Sequence, residues 1–345
     1  MADTELISIV VPMYNEEGNV RPLYEAIAKE FDELWCTFEL IFVDDGSRDA
    51  SVATVKKLHA EDPRVKLVCL SRKFGCQMAI FAGLEHCRGD AAVVMDADLQ
   101  HPPELIGRMI ELWKEGFEVV YTIREQTDGI GFVKRATSSA FARLQSRLGV
   151  TSLEPNVSDF RLMDRRVVKL VVSMRERKRF FRSMVEWVGF RQTGIPFVAA
   201  ARHSGETKYS YTKLIGLALD AVTSFSTIPL RICTYIGFIA AVSVIPYALW
   251  AVYVRLFTNT NVPGWSSIIV AVLFLGGVQL ISLGILGEYV GRIYEEVKGR
   301  PLYVASELCG VRDLSSDMLN GREVIEVARD AESEREAARE TIAQE

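Results

Sequence analysis

Val93-Val94-Met95-Asp96-Ala97-Asp98-Leu99-Gln100-His101-Pro102-Pro103-Glu104 decides how this chain is read. The apolar run Ala91 to Met95 has the length and β-branched content of a strand buried on both faces. It ends in two carboxylates one residue apart. Side chains at i and i+2 of an extended segment point the same way, so Asp96 and Asp98 can converge on one point. In a parallel sheet that point lies in the crevice outside the carboxyl ends of the strands. Two hard oxygen donors, too few to cage an ion alone, suit Mg²⁺ or Mn²⁺ completed by a diphosphate. The alternative is that Asp98 or His101 caps the helix that Pro102 and Pro103 open. That alternative leaves Asp96 unexplained.

Working outward, strands alternate with helices. Leu6 to Val11 reads as a strand, followed by the turn Pro12-Met13-Tyr14-Asn15-Glu16-Glu17 and a helix to about Leu34. Phe38 to Val43 is a second strand, ending in Asp44-Asp45-Gly46-Ser47-Arg48-Asp49 before a helix over Ser51 to Glu61. A strand over Val65 to Leu70, the loop Ser71 to Gly75 and a helix over Cys76 to His86 lead to Ala91; Val119 to Thr122, ending near Arg124, is a further strand. This alternation predicts an α/β fold, Rossmann-like, with a mostly parallel sheet and helices on both faces.

Two acidic clusters at matching strand ends suit a nucleotide, one holding base or ribose, the other the metal and diphosphate; Pro12, Tyr14 and Glu16 close the same edge. A dinucleotide fold would need G-x-G-x-x-G after the first strand, where this chain has Pro-Met-Tyr-Asn-Glu-Glu.

The chain has 345 residues, 49% hydrophobic, with a formal charge of −5, which leaves room for one large domain plus a second element and gives no hint of nucleic acid. Six cysteines without metal spacing read as thiols in a reducing compartment. Met1 to Val11 lacks the pattern of a signal peptide. From Gly129 to Arg202 the sequence is basic and less regular. Arg175 to Arg182 is a basic cluster, read equally as a solvated face or as a contact with anionic lipid. Leu214 to Leu230 suits the membrane interface. Ile232 to Val254 and Ile268 to Leu286, about 23 and about 19 uncharged residues, are each long enough to span a bilayer core. Lys213 and Arg231 precede this hairpin, Arg292, Lys298 and Arg300 follow it, and the connecting loop carries only Arg255, which places both termini in the cytoplasm. Gly287 and Gly291, with Gly276, Gly277 and Gly284, suggest close helix packing by the second span, either against the first span of the same subunit or in a homo-oligomer. From Asp313 the acidic tail reads as solvated.

Val11-Pro12-x-Tyr14-Asn15-Glu16-Glu17, Asp44-Asp45-Gly46-Ser47-x-Asp49 and Asp96 to Glu104 resemble the inverting family 2 glycosyltransferases of GT-A fold. Ser158-Asp159-Phe160-Arg161-Leu162, Gly189 to Thr193, Gly205-x-Thr207-Lys208-Tyr209 and Gly287-Glu288-Tyr289-x-Gly291-Arg292-x-Tyr294 narrow the resemblance to polyprenyl-phosphate glycosyltransferases, chiefly bactoprenol glucosyltransferases, with dolichol-phosphate mannose synthases as relatives. It covers Ile7 to about Tyr303.

The resemblance implies transfer of a sugar from a nucleotide sugar to undecaprenyl or another polyprenyl phosphate, with inversion, at the cytoplasmic face of a bacterial inner membrane. It implies Mg²⁺ or Mn²⁺ on Asp96, Asp98 and Gln100. It puts Pro12, Tyr14, Glu16, Asp44, Asp45, Asp96 and Arg124 at the nucleotide, and Arg124, Arg135, Ser139, Arg202 and Lys208 at the acceptor phosphate. Asp159, Asp98 and Arg202 become the catalytic set, with Asp159 serving either as base or as a positioning group. Arg202 to Tyr209 reads as a loop that closes over the reactants, Gly205 allowing the movement. UDP-glucose is the favoured donor, with GDP-mannose and an aminoarabinose-type donor left open. A processive synthase would carry Gln-x-x-Arg-Trp, absent here; a silent lipid-flipping or scaffolding subunit would have no use for the carboxylates. The expected division is 1–211 catalytic, 212–231 interfacial, 232–292 the hairpin and 293–345 a C-terminal segment.

Overall fold

The computed structural model describes residues 5–125, 157–174, 176, 177, 179–198 and 264–311, with scattered positions between 230 and 257. These fall in two compact units.

The first unit is built on one eight-stranded sheet in the order β7-β5-β6-β4-β1-β2-β3-β8. Its strands are β1 (Leu6–Met13), β2 (Thr37–Asp44), β3 (Val65–Leu70), β4 (Ala91–Val94), β5 (Val119–Arg124), β6 (Val157–Asp164), β7 (Gln192–Phe197) and β8 (Ala305–Cys309). Pairing is parallel except at β4–β6, β5–β6 and β3–β8, so β6 and β8 alone run against the others. The sheet is therefore mixed around a parallel centre.

Alternation along β1 serves both faces. Ile7, Ile9, Val11 and Met13 join one core with α1 (Glu17–Asp32), α2 (Ser51–Glu61) and α4 (Leu105–Lys114). Val10, with Ile41, Val43 and Val68, joins the other core with α3 (Cys76–Glu85), α5 (Arg165–Ser173) and α6 (Phe181–Trp187). In α1 the buried Val20, Leu23, Ile27 and Phe31 recur at helical spacing and form the inward stripe. α3 lies so close to the sheet that a Cβ on Gly83 would meet Val10 Cγ1 at 2.3 Å.

Three departures from the sequence reading stand out. The irregular-looking middle supplies β6 and β7. The basic cluster is not a solvated face throughout: Arg179 is 4% exposed, its guanidinium 4.3 Å from the Phe81 ring centroid, and Phe181 is fully buried. Residues 305–309, beyond the last helix among the described residues, return to the sheet as β8. There Ser71 N–H donates to Val304 O at 2.8 Å, Lys56 pairs with Glu307 at 2.7 Å and the Tyr303 hydroxyl bonds Glu85.

The second unit contains α7 (Trp265–Val297), whose stretch Phe274–Val297 is long and apolar enough to cross a membrane. Its apolar side chains are exposed, Leu280 at 73% and Ile281 at 65%, unlike those of a soluble core helix. A Cβ added at Gly276, Gly277, Gly284, Gly287 or Gly291 would meet nothing within 4 Å. The described positions between residues 230 and 257 are helical. Most of the first expected span, the interfacial stretch and the loop between the spans lie outside the described residues.

Candidate active site

The site forms where the sheet changes direction. Chain order runs from β1 to β2 and β3 on one side, while β4 lies on the other. Pairing of β1 with β4 stops at Val10–Val94, yet pairing with β2 continues to Met13–Asp44. A crevice opens between the carboxyl ends of β1 and β4, the usual ligand position in such sheets. Pro12 sits past the end of the β4 pairing, where a missing N–H leaves no gap in that ladder.

Asp96 and Asp98 stand at this crevice, directly after β4. Asp96 N–H donates to His101 Nδ1 at 3.0 Å, so the proton of the neutral ring is on Nε2, which faces Ser158 Oγ at 2.9 Å. His101 stacks on Phe160 at 5.0 Å and is 6% exposed; burial holds its pKa down at about 4 against the pull of Asp98 and Asp159. Asp98 Oδ1 accepts from Gln100 N–H at 3.1 Å, closing a turn in which Leu99 takes φ +59°. That left-handed conformation is costly for a branched side chain; Leu99 offsets it by packing on the core. The helix-cap alternative does not hold, because α4 starts at Leu105 with Glu104 at its N-cap and no side-chain cap bond.

The Asp96 carboxyl is pushed up to about 7, first by burial in the cleft floor and then by Asp159 and Asp98. The burial contribution is tempered, since 43% of the Asp96 side chain stays open. Crowded carboxylates of this kind fit a hard divalent cation. Among the described residues no group of three or more His, Cys, Asp and Glu surrounds one point, and both His101 nitrogens are engaged within the protein. A cation here would need oxygens from its ligand. Gln100 is buried beside the pair.

The other strand ends are laced together. Asp44 accepts from Gly46 and Ser47 N–H at 3.1 Å, and Asp45 accepts from Phe74 N–H at 2.6 Å and Gly75 N–H at 3.0 Å. Asn15, at φ +58°, donates its N–H to Ser47 Oγ and accepts from Arg48 N–H. Glu16 N–H donates to Ser51 Oγ, and Lys73 Nζ lies 3.2 Å from the Tyr14 ring centroid. Tyr14, Glu16, Asp44 and Asp45 thus form one rim across β1, β2 and the β3–α3 loop. Arg124 is exposed at the end of β5.

Asp159, at the start of antiparallel β6, comes to the same edge. It is gripped by a residue that the sequence reading placed only in a basic cluster and not in the site: Arg182 donates Nε to Oδ1 at 2.7 Å and Nη2 to Oδ2 at 3.2 Å. Burial raises the Asp159 carboxyl, but Arg182 more than offsets this and holds it below the ordinary range. The signal lay in Arg179-Phe180-Phe181-Arg182, where two aromatics interrupt the basic run. Arg135, Ser139, Arg202, Gly205 and Lys208 lie outside the described residues.

Residues 8–171 match the model for "Glycosyl transferase family 2" and residues 228–293 that for "GtrB C-terminal hairpin". An uncharacterized glycosyltransferase of Synechocystis sp. (strain ATCC 27184 / PCC 6803 / Kazusa) is 43% identical over 314 residues, 91% of this chain and 99% of that protein. The chain belongs to glycosyl transferase family 2. The SfII prophage-derived bactoprenol glucosyl transferase of Shigella flexneri is 43% identical over 300 residues, 86% of this chain and 96% of that protein. Among solved structures, glucosyl-3-phosphoglycerate synthase from Mycobacterium tuberculosis with Mn²⁺, UDP and phosphoglyceric acid overlaps 64% of this chain and 76% of its own at 20% identity and a TM-score of 0.46, too loose to transfer site chemistry. This chain is a glycosyltransferase with a mixed α/β, GT-A-like sheet and a C-terminal apolar helix.

Proposed function

We propose that this enzyme transfers glucose from UDP-glucose to a polyprenyl phosphate, inverting the anomeric centre. The carrying observation is the pair Asp96 and Asp98 at the β1–β4 crevice, in a chain that matches bactoprenol glucosyl transferases over nearly their whole length. From β4 to β3 the strand ends span about 14 Å at ~4.8 Å per strand. A nucleoside diphosphate laid along them has its phosphates at Asp96 and Asp98 and its nucleoside at the rim of Tyr14, Glu16, Asp44 and Asp45. Asp96 and Asp98, with Gln100 beside them, would hold Mg²⁺ or Mn²⁺, which when bound supplies Lewis-acid stabilisation of the leaving diphosphate.

In the reaction a phosphate oxygen of the lipid forms a bond to the anomeric carbon as the bond to the diphosphate breaks. The nucleoside diphosphate leaves with the electron pair. A phosphate monoester has its second pKa near ~6, so the nucleophile is already anionic at neutral pH and needs no base. Asp159, tied to Arg182 and held below the ordinary carboxylate range, suits positioning better than proton abstraction. Arg124, Arg135, Ser139, Arg202 and Lys208 remain the proposed grips on the acceptor phosphate, and closure of the loop at Gly205 would exclude water.

The fold also supports a cytoplasmic two-span topology. β7 and β8 are strands of one sheet, so the chain between them starts and ends on one side of any membrane. A single crossing by α7 then requires a second, for which Ile232 to Val254 is suited. The basic flanks favour the sheet on the cytoplasmic side of a bacterial membrane. The glycines of α7 support homo-oligomer contacts within the bilayer.

The test uses the full chain in detergent, undecaprenyl phosphate, Mg²⁺ or Mn²⁺, and a panel of UDP-glucose, GDP-mannose and a UDP-linked aminoarabinose-type sugar. Release of UDP and formation of glucosyl lipid are expected. Faster consumption of another donor would reassign the sugar; no lipid product from any donor would overturn the reading.

A further inference from the structure

We propose that Arg182 is a phosphate-gripping residue of the cleft and that Asp159 is the group that holds it in place. This deepens the reading above and rests on it for the identity of the ligands. A guanidinium has two edges that can each meet an oxyanion side-on. Asp159 occupies the edge made by Nε and one Nη2 hydrogen, at 2.7 and 3.2 Å. The edge made by Nη1 and the second Nη2 hydrogen makes no hydrogen bond among the described residues, and 43% of the side chain is open. Asp159 itself is only 16% exposed, so the pair is anchored at the carboxylate and open at the guanidinium.

The anchoring continues inward. Ser158 and Asp159 are consecutive on β6, and Ser158 Oγ meets His101 Nε2, whose ring supports Asp96 N–H. Arg161, two residues on and 2% exposed, donates Nη2 to Ser158 O at 2.9 Å and lies 5.0 Å from the Phe181 ring centroid, beside Arg182 in sequence. One chain of contacts thus links Asp96 after β4, through His101, Ser158 and Asp159, to Arg182. Arg182 is also within electrostatic reach of Asp96. A cation pre-set there, with one edge free, matches a tetrahedral phosphate oxyanion. That phosphate belongs either to the donor's diphosphate or to the lipid.

Equilibrium binding to the full chain separates these sources. One arm titrates UDP with Mn²⁺; the other titrates vesicles carrying polyprenyl phosphate against vesicles carrying the uncharged polyprenol. Arg182→Gln is expected to weaken one arm at least tenfold, with Arg182→Lys intermediate and Asp159→Asn weakening the same arm less. Weakening of the UDP arm assigns the donor phosphate; weakening of the lipid arm assigns the acceptor. If Arg182→Gln binds both as the wild type does, or if Asp159→Asn abolishes turnover with both affinities intact, the inference fails. A wild-type chain that binds these phosphates through Arg182 but transfers no sugar would sink the proposed reaction and leave this inference standing. Circular dichroism and monodispersity in detergent exclude misfolded variants, and the lysine variant supplies a second measure where the glutamine variant does not fold.

Discussion

His101 Nδ1 accepts the backbone N–H of Asp96 at 3.0 Å, and through this bond the loop after β4 supports its own first carboxylate. A buried N–H left without an acceptor costs about 1–3 kcal/mol. His101→Phe keeps the stack on Phe160 and removes both ring nitrogens. The variant should remain folded and bind UDP with Mn²⁺ about tenfold more weakly; wild-type affinity would show that the histidine is only a packing residue.

Asp96→Asn and Asp98→Asn each replace one carboxylate of the crowded cleft by a neutral amide. Transfer should fall at least about 100-fold, with Mn²⁺-dependent UDP binding lost and the circular dichroism spectrum unchanged. Metal-dependent binding by the double variant at wild-type strength would refute the metal assignment.

A cysteine at Asn259 or Thr260, with the six native cysteines replaced, should react in intact cells with an impermeant thiol reagent. Labelling only after lysis would place the connecting loop inside and contradict the topology.

Gly310 takes φ +72°, and a Cβ there would meet His59 Cε1 at 2.7 Å. Gly310→Ala should therefore destabilise the sheet unit by about 1–3 kcal/mol, read as a lowered Tm, although it lies far along the chain from the other strands. An unchanged Tm would mean that β8 is not part of the cooperative unit.

Glu39 is 3% exposed and accepts from Lys66, Ser8 and Arg88 N–H. Burial raises its carboxyl, but these donors outweigh burial and leave it below the ordinary value. The folded state therefore binds that proton less readily than the unfolded chain. The stabilisation is complete above the unfolded carboxylate pKa and is lost as pH falls through the folded one. Glu39→Gln leaves the half-buried Lys66 without its counter-charge and should cost about 3 kcal/mol at pH 7. The difference in Tm between variant and wild type should shrink below pH ~4.5; a gap that stays constant with pH would exclude the ion pair as its source.

The sequence by itself determined the parallel centre of the sheet and the carboxylate pair. Ser51–Glu61 and Val65–Leu70 fold over the residues expected of them, because local periodicity and β-branched runs fix such elements. Asp96 and Asp98 were legible because a buried strand that ends in two charges has few structural explanations. Only the tertiary structure decided the partners. Asp44 and Asp45 were read as nucleotide ligands; the structure adds that both accept backbone N–H groups from loops, one of them after β3. Arg182 belonged to a run that read equally as solvated charge or as a lipid contact, yet it pairs with Asp159 from 23 residues away in sequence. β8 follows α7 in the chain yet pairs with β3, joining residues 69 and 307. Such pairings depend on which groups meet once the sheet closes, and a buried carboxylate or a sheet edge selects its partner by proximity in space rather than by spacing along the chain.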